Sequence, residues 1–399
     1  MIGGRFKVAS VASVAAAGLF MGGVAAQSAD LGGNCCADLE ERVAELEATT
    51  ARKGNRKQSL TIYGQVNKAI VWHDDADNGA APQISIRDNN GRSGTRFGFR
   101  GSAKINADLS AGFHIEIGVD NGHVANFGDG NVQTRKTQVS ITSKSLGSVR
   151  AGRINQATEG VTEIKLGGAM SGLLASAENA DVSQVAAFVA GHGFDGSRYQ
   201  GAVYQTPTIG GFVASAGWYH SADSDVVGQH EADVALRYAG EFGAIRVAAG
   251  IGYRVKANQA SAGPDEKTIE GSASVLHVPT GLFLNAAAGQ VDDATTPTGT
   301  KMAVAGLDHS GWGVGGGIVS KWNSLGSTTL EVQYAEYDTA RINVNPVMYG
   351  VGISQNIDAA AMDIYVNWQH FDCDFNCSTT NPSAKDSADY ITAGARVRF

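Results

Sequence analysis

Gly311, Gly313 and Gly316 fall at the G-x-G-x-x-G spacing with which a tight turn brings backbone amides against a pyrophosphate. That chemistry needs a helix after the motif. Here a loop precedes it and another turn follows, so the segment reads as a Gly-rich strand. The nine His are scattered, with none at H-x-x-x-H spacing on a helix, and no Cys stands with His at metal-ligand spacing. No G-x-S-x-G elbow exposes a nucleophilic Ser. Cys373 and Cys377 lie four apart in a polar stretch and can close a small disulfide loop, with a free thiol pair as the alternative. Cys35 and Cys36 are adjacent, and Asn34 before them breaks the lipobox pattern. Neither a cofactor nor a metal is expected, and the chain is not expected to be an enzyme. What remains are fixed charges. Glu159, Glu163, Glu178 and Asp181 sit among Gly and Ala in one long stretch, while Arg96, Arg100, Lys136 and Arg198 lie on alternating segments. Opposite charges held across a gap set a transverse field, which sorts what passes by size and dipole.

The elements that would hold those charges apart have period two. In Tyr390–Phe399 the residues Ile391, Ala393, Ala395, Val397 and Phe399 alternate with Tyr390, Thr392, Gly394, Arg396 and Arg398. Met362, Ile364, Val366 and Trp368 alternate with Asp363, Tyr365, Asn367 and Gln369 in the same way. Such runs mean strands with one apolar and one polar face. They place strands near 59–72, 93–105, 110–120, 133–143, 148–155, 197–206, 211–220, 231–240, 245–256, 267–278, 281–292, 312–322, 327–338, 346–357, 361–371 and 388–399. That is sixteen, joined alternately by tight turns and by long loops such as 73–92 and 156–196, as in an up-and-down meander.

Composition fits the same picture. Of 399 residues 43% are hydrophobic and only 18% charged, and the 52 Gly are far above ordinary usage of about 7%. Beyond the N-terminus no run approaches the roughly 20 apolar residues of a membrane helix. The net charge of −8 gives no reason to expect nucleic acid as a partner. A soluble barrel of sixteen strands would enclose a space too wide for side chains to fill. The polar parity carries Arg, Asp, Asn and Gln in strand after strand, which suits a wet lumen, and the apolar parity suits lipid. The expected fold is therefore all-β: a 16-stranded antiparallel transmembrane β-barrel, closed because lipid cannot satisfy a free edge.

Arg5 and Lys7 precede an uncharged, Ala-rich run to Ala26, with small Val24 and Ala26 at −3 and −1 of a cleavage point. Residues 1–26 thus read as an export signal. Its removal takes away two positive charges and no negative ones, from −8 to −10. In residues 27–58, Leu39, Val43 and Leu46 follow the spacing of a short coiled-coil helix, too short to be stable alone. A basic linker, Arg52 to Lys57, leads into the barrel at 59–399.

The segment CCADLEERVAELEATTARKGNRK, SLTIYGQ in the first strand, GTRFGFRGSAKI in the second, GSVRAGR in the fifth and the terminal Phe399 together resemble the trimeric general porins of Gram-negative outer membranes, most closely those of rhizobial alphaproteobacteria. The resemblance covers essentially the whole mature chain. It implies a homotrimer in outer-membrane lipid and lipopolysaccharide, passive diffusion of small hydrophilic solutes, and a third loop folded into the pore. Phe399 resembles the signal read by the barrel-assembly machinery.

A structureless loop of about 40 residues is improbable unless it is functional. Folded inward, the stretch 156–196 would set Glu159, Glu163, Glu178 and Asp181 opposite Arg96, Arg100, Lys136 and Arg198, which parity turns inward; the expectation is a pore constriction built of these eight. Arg153 has outward parity, where lipid would cost an Arg about 2–4 kcal/mol. It is expected at a protomer interface, met by an acidic residue such as Asp129 of a neighbour. Lys68 also has outward parity, for which a local bulge is one account. A lipase-like barrel enzyme, a substrate-specific channel and a secreted β-sandwich adhesin are the alternatives.

Overall fold

A computed structural model describes residues 52–53, 56–74, 82–119, 132–174, 194–220, 230–257, 264–292, 308–339, 346–372 and 387–399. The first barrel strand, β1, is Ser59–Asp74. β2 comes in two pieces, Gln83–Asp88 and Arg96–Lys104, with a four-residue helix, Asn90–Ser93 (α1), between them. Then follow β3 (Leu109–Val119), β4 (Val132–Ser143), β5 (Gly147–Asn155), β6 (Arg198–Gln205), β7 (Phe212–His220) and β8 (His230–Phe242). The series ends with β9 (Ile245–Lys256), β10 (Glu266–His277), β11 (Leu282–Asp292), β12 (His309–Asn323), β13 (Gly326–Thr339), β14 (Val347–Ile357), β15 (Met362–Asp372) and β16 (Ser387–Arg398).

Each strand pairs antiparallel with its neighbours in sequence, and β16 pairs with β1 from Asp389↔Asp74 to Arg398↔Gln65. The result is a closed sixteen-stranded barrel. Closure leaves no free edge, which hydrocarbon could not satisfy. Alternation decides the faces. Ile62, Val66 and Ile70 of β1 stand outside, and Ile62 is 60% exposed. Gln65, Asn67, Ala69 and Val71 between them are buried. The outer band ends in aromatic residues on both sides: Trp218, Trp312, Tyr334, Tyr349 and Trp368 near the long loops, and Phe212, Tyr238, Phe242 and Trp322 near the tight turns. Such girdles sit where a bilayer meets water.

The tight turns depend on backbone that side chains resist. Gly281, between β10 and β11, has φ +72°, and a Cβ there would lie 1.8 Å from the Val319 carbonyl oxygen. At the closing seam Phe399 exchanges both backbone hydrogen bonds with Gly64, at 2.8 and 3.0 Å, and its ring covers the face that Gly64 leaves bare.

The sequence reading of β2 needs correction. The stretch 73–92 was expected to be a long loop with a strand from 93. Instead the ladder with β1 already holds from Gln83 to Asp88, breaks at 89–95, and resumes at Arg96. Lys68 is outward, as parity implies, but no bulge in β1 explains it: its Nζ stands 2.6 Å from Asp88 Oδ2 on the broken strand. Before the barrel, Arg52–Lys53 pairs with Arg56–Lys57 inside the basic linker. The short helix expected in 27–58 lies outside the described residues.

Candidate functional site

The segment after β5 is laid against inward-facing side chains of half the barrel. At its root, Gln156 N–H donates to Ser197 O at 2.9 Å and Ser197 N–H to Gln156 Oε1 at 2.7 Å, which closes the base of the loop. Ala157 N–H donates to the Tyr219 hydroxyl, which donates to Asp233 Oδ1, both at 2.8 Å. Thr158 gives Asp233 Oδ2 both its N–H and its hydroxyl, at 2.8 and 2.9 Å. Ile154, Ala157, Val161, Val203, Tyr219 and Ala235 form a small dry plug beneath. The loop residues Ala157 and Val161 complete this cluster against the wall.

Further along, the loop backbone uses small hydroxyls of β10 as ladder partners. Ile164 N–H donates to Ser272 Oγ at 3.1 Å, Ser272 Oγ to Val161 O at 2.6 Å, and Leu166 N–H to Ser274 Oγ at 2.8 Å. Asn285 of β11 donates to Gly167 O at 3.0 Å. Glu331 of β13 then takes three donors: Ala169 N–H and Met170 N–H at 2.7 and 2.9 Å, and Lys165 Nζ at 2.7 Å. Its carboxylate is buried and fully engaged. The Gly-rich strand gains its reason here. Gly313 and Gly315 lie under Leu173, which a side chain would crowd; a Cβ at Gly289 would collide with the Phe194 ring, and one at Gly311 would press on Tyr337 and Phe194.

Arg237 of β8 and Arg254 of β9 are spent on the loop backbone, and the remaining wall, β1 to β6, carries the other bases of the site. Arg96 and Arg100 face inward as expected, the latter with its guanidinium 5.4 Å from the Tyr63 ring. Glu116 of β3 is the hub. Arg135 Nε stands 2.8 Å from it, Arg96 Nε 3.9 Å and Lys136 Nζ 4.0 Å, and the Tyr63 hydroxyl donates to it at 2.7 Å. Arg135 reaches the same carboxylate as its chain neighbour because the register with β3 slips there: Glu116 pairs with Lys136, but Ile117 pairs with Thr134. The extra residue of a bulge lets two consecutive side chains serve one face.

The structure brings Arg198 and Glu159 together, Nη1 to Oε1 at 2.9 Å, where the loop root meets the basic wall. Arg237 donates to Glu159 O at 2.8 Å. Lys136 is on the same wall, within the field of Glu159. Glu163 faces lumen water yet is ringed by protein. That enclosure, then repulsion from Asp195 and Glu159, raises its carboxyl above the ordinary range. Enclosure raises Asp195 as well, against the bonds it takes from Thr162 N–H (2.9 Å) and the Thr162 hydroxyl. Arg153 is outward, and its Nε donates to Thr134 O at 2.8 Å. Glu178, Asp181, Asp129, Cys373 and Cys377 lie outside the described residues.

Sequence reasoning passed over Glu116, Arg135, Arg92, Lys165 and Glu331. Glu116 and Glu331 carried a usable signal, a lone acid at a polar-parity position of a strand. Arg135 carried none, since strict alternation sends it outward. Among the described residues no group of three or more His, Cys, Asp or Glu is placed to hold a metal ion.

A family model described as Gram-negative porin matches residues 9–376. No curated protein gives a significant sequence match. Among solved structures, the anion-selective porin from Comamonas acidovorans is 19% identical with a TM-score of 0.59, over 86% of this chain and 100% of that one. OmpF of Salmonella typhi, in complex with daunomycin, is 14% identical with a TM-score of 0.59, over 88% and 100%. The in-vitro-folded outer-membrane protein OmpT of Vibrio cholerae, in its trimer form, is 12% identical with a TM-score of 0.55, over 86% and 99%.

Proposed function

The chain belongs to the Gram-negative porin family, and from that premise we propose that its barrel is an outer-membrane channel for passive diffusion of small hydrophilic solutes and ions, narrowed by the loop 156–197. One observation carries the reading: the loop is bonded to one half of the inner wall, and the opposite half presents Arg96, Arg100, Arg135, Lys136 and Arg198. Glu159 and Glu163 on the loop and these bases on the wall give a field across the passage. Family membership favours a channel over a lipase-like enzyme, and a fixed field that acts on any charged or dipolar solute favours general diffusion over a dedicated substrate.

The functional unit is a homotrimer in this reading. Lys68 with Asp88, and Arg153, are outward charges on β1, β2 and β5, where lipid contact is costly and a protein neighbour is not. The Vibrio cholerae relative in trimer form is consistent with it. Residues 1–26 serve as the export signal, 27–58 as a periplasmic segment of the rhizobial porin type, and Phe399 as the mark read by the barrel-assembly machinery. Lipopolysaccharide and outer-membrane lipid cover the apolar band. In planar bilayers the purified protein is expected to open in steps grouped by three; silence contradicts the channel. An Arg153→Ala protein whose trimer is as heat-resistant on gels as the parent contradicts the interface.

A further inference from the structure

β2 pairs with β1 as far as Lys68↔Asp88 and again from Gln65↔Arg96. Between these positions the seven residues 89–95 stand opposite only Val66 and Asn67. A strand running straight through would close the ladder with every backbone group paired, so barrel closure does not need the excess. Ordering it costs about 1–2 kcal/mol of backbone entropy per residue.

The excess turns into the lumen, because inward side chains hold it. Gln65 Nε2 donates to Ser93 O and Gly94 O at 3.0 and 2.8 Å, and Asn67 Nδ2 to Asn89 O and Ser93 O at 3.2 and 2.9 Å. Thr95 Oγ1 takes the Asn67 N–H at 3.1 Å, a hydroxyl where the ladder has lost its partner. Asn89 Nδ2 donates to the Tyr365 hydroxyl at 3.2 Å, and Tyr365 donates to Asn67 Oδ1 at 2.7 Å. These groups form a rigid seat on β1 and β15. It presents Arg92, whose guanidinium lies 4.2 Å from the Tyr365 ring centre and 3.8 Å from Asp363, and which donates through Nη1 to the backbone carbonyl of Ala169. Ala169 is the residue whose N–H is held by Glu331 from the far wall. The peptide between Ala169 and Met170 is therefore gripped from two sides, its carbonyl by Arg92 and its N–H by Glu331.

We propose that segment 89–95 is a second lumen element of the channel, and that Arg92 is a positioning residue that clamps the loop 156–197 at Ala169. This rests on the reading of that loop as the constriction. The β13 wall alone fixes Ala169 and Met170 through Glu331, whose carboxylate also engages Lys165; the clamp adds a restraint from the β2 side. It fixes the far margin of the passage and keeps the open channel quiet. Arginine suits the task because its planar fork serves a carbonyl, a carboxylate and an aromatic face together.

The test compares Arg92→Met, which keeps the stem and loses the donors, with Arg92→Lys, which keeps a donor and the charge. In bilayers Arg92→Met is expected to show several-fold more brief partial closures and open-channel noise than the parent, and Arg92→Lys to restore much of the quiet. Trypsin supplies a readout that needs no current: cleavage after Lys165 in the detergent-solubilised trimer is expected to quicken several-fold in Arg92→Met. Equal noise and equal cleavage in all three proteins overturn the clamp. A parent that conducts nothing overturns the channel reading instead, and the cleavage rates still decide the clamp. A Met variant as altered as expected but not rescued by Lys overturns the hydrogen-bonded grip.

Discussion

The inner wall has two halves built on the same parity rule and put to different uses. On β7 to β14 the inward polar side chains, acids, hydroxyls and the two bases Arg237 and Arg254, spend their hydrogen bonds on the loop: Asp233 on Thr158, Ser272 and Ser274 on the run 161–166, Glu331 on Ala169 and Met170, Arg237 on Glu159 O and Arg254 on Phe194 O. On β1 to β6 they are long and basic, and they meet one another, Glu116, Glu159 and water. The difference teaches that an inward polar residue in such a barrel is of two kinds, one fixing architecture and one setting a field. Alternation does not tell them apart; what packs on them does.

If that division holds, removing a key residue of the covered half damages stability, and removing one of the bare half damages selectivity. Glu331→Ala strips three donors of their acceptor and leaves Lys165 enclosed without its partner, which costs about 3 kcal/mol or more. The expected outcome is a lowered thermal transition of the trimer in detergent together with altered conductance. A transition like the parent's breaks the comparison. Arg96→Ala belongs to the other half. Glu116 keeps Arg135 and the Tyr63 hydroxyl, so stability should change by at most about 1 kcal/mol. The reversal potential in a salt gradient should move toward cations, and an unmoved potential removes Arg96 from the field.

The smallest effect is one of pH. Glu163 and Asp195 are held above the ordinary carboxylate range, so their charged forms are disfavoured in the folded protein. As pH falls through those raised values the folded state binds protons earlier than the unfolded chain and gains stability relative to it. The lumen loses negative charge in the same window. Selectivity should therefore drift toward anions on acidification while pH is still above about 5, where exposed carboxylates remain charged. Glu163→Gln should remove most of the drift. A drift that starts only below that point contradicts the enclosure of Glu163.

Much of this is legible in the amino-acid sequence alone. Sixteen runs of period two lead to sixteen strands, and parity alone turns Arg96, Arg100, Lys136 and Arg198 inward and Arg153 outward. The failures have local causes. Arg135 shares the inner face because one slipped residue in β4 defeats alternation. β2 was read from 93 because the turn-like run Asp88 to Gly94 looks like the end of a loop, whereas it is an excursion within a strand. Its anchors, Gln65 and Asn67, look like ordinary inward polar residues until the segment they hold is seen. The Gly-rich strand resembled a phosphate motif because both need backbone approached closely, in one case by a ligand and here by Leu173 and Phe194.

The central claim is that the loop 156–197 stands in the water-filled passage and limits it. Glu163, on the loop and facing lumen water, tests it most directly. A Glu163→Cys protein is recorded in a bilayer while a bulky, hydrophilic thiol reagent is added, with the parent chain as control and mass spectrometry to confirm attachment. Attachment is expected to lower the current of each open step and to leave the parent unaffected. Full attachment with unchanged current would place the loop outside the conducting path.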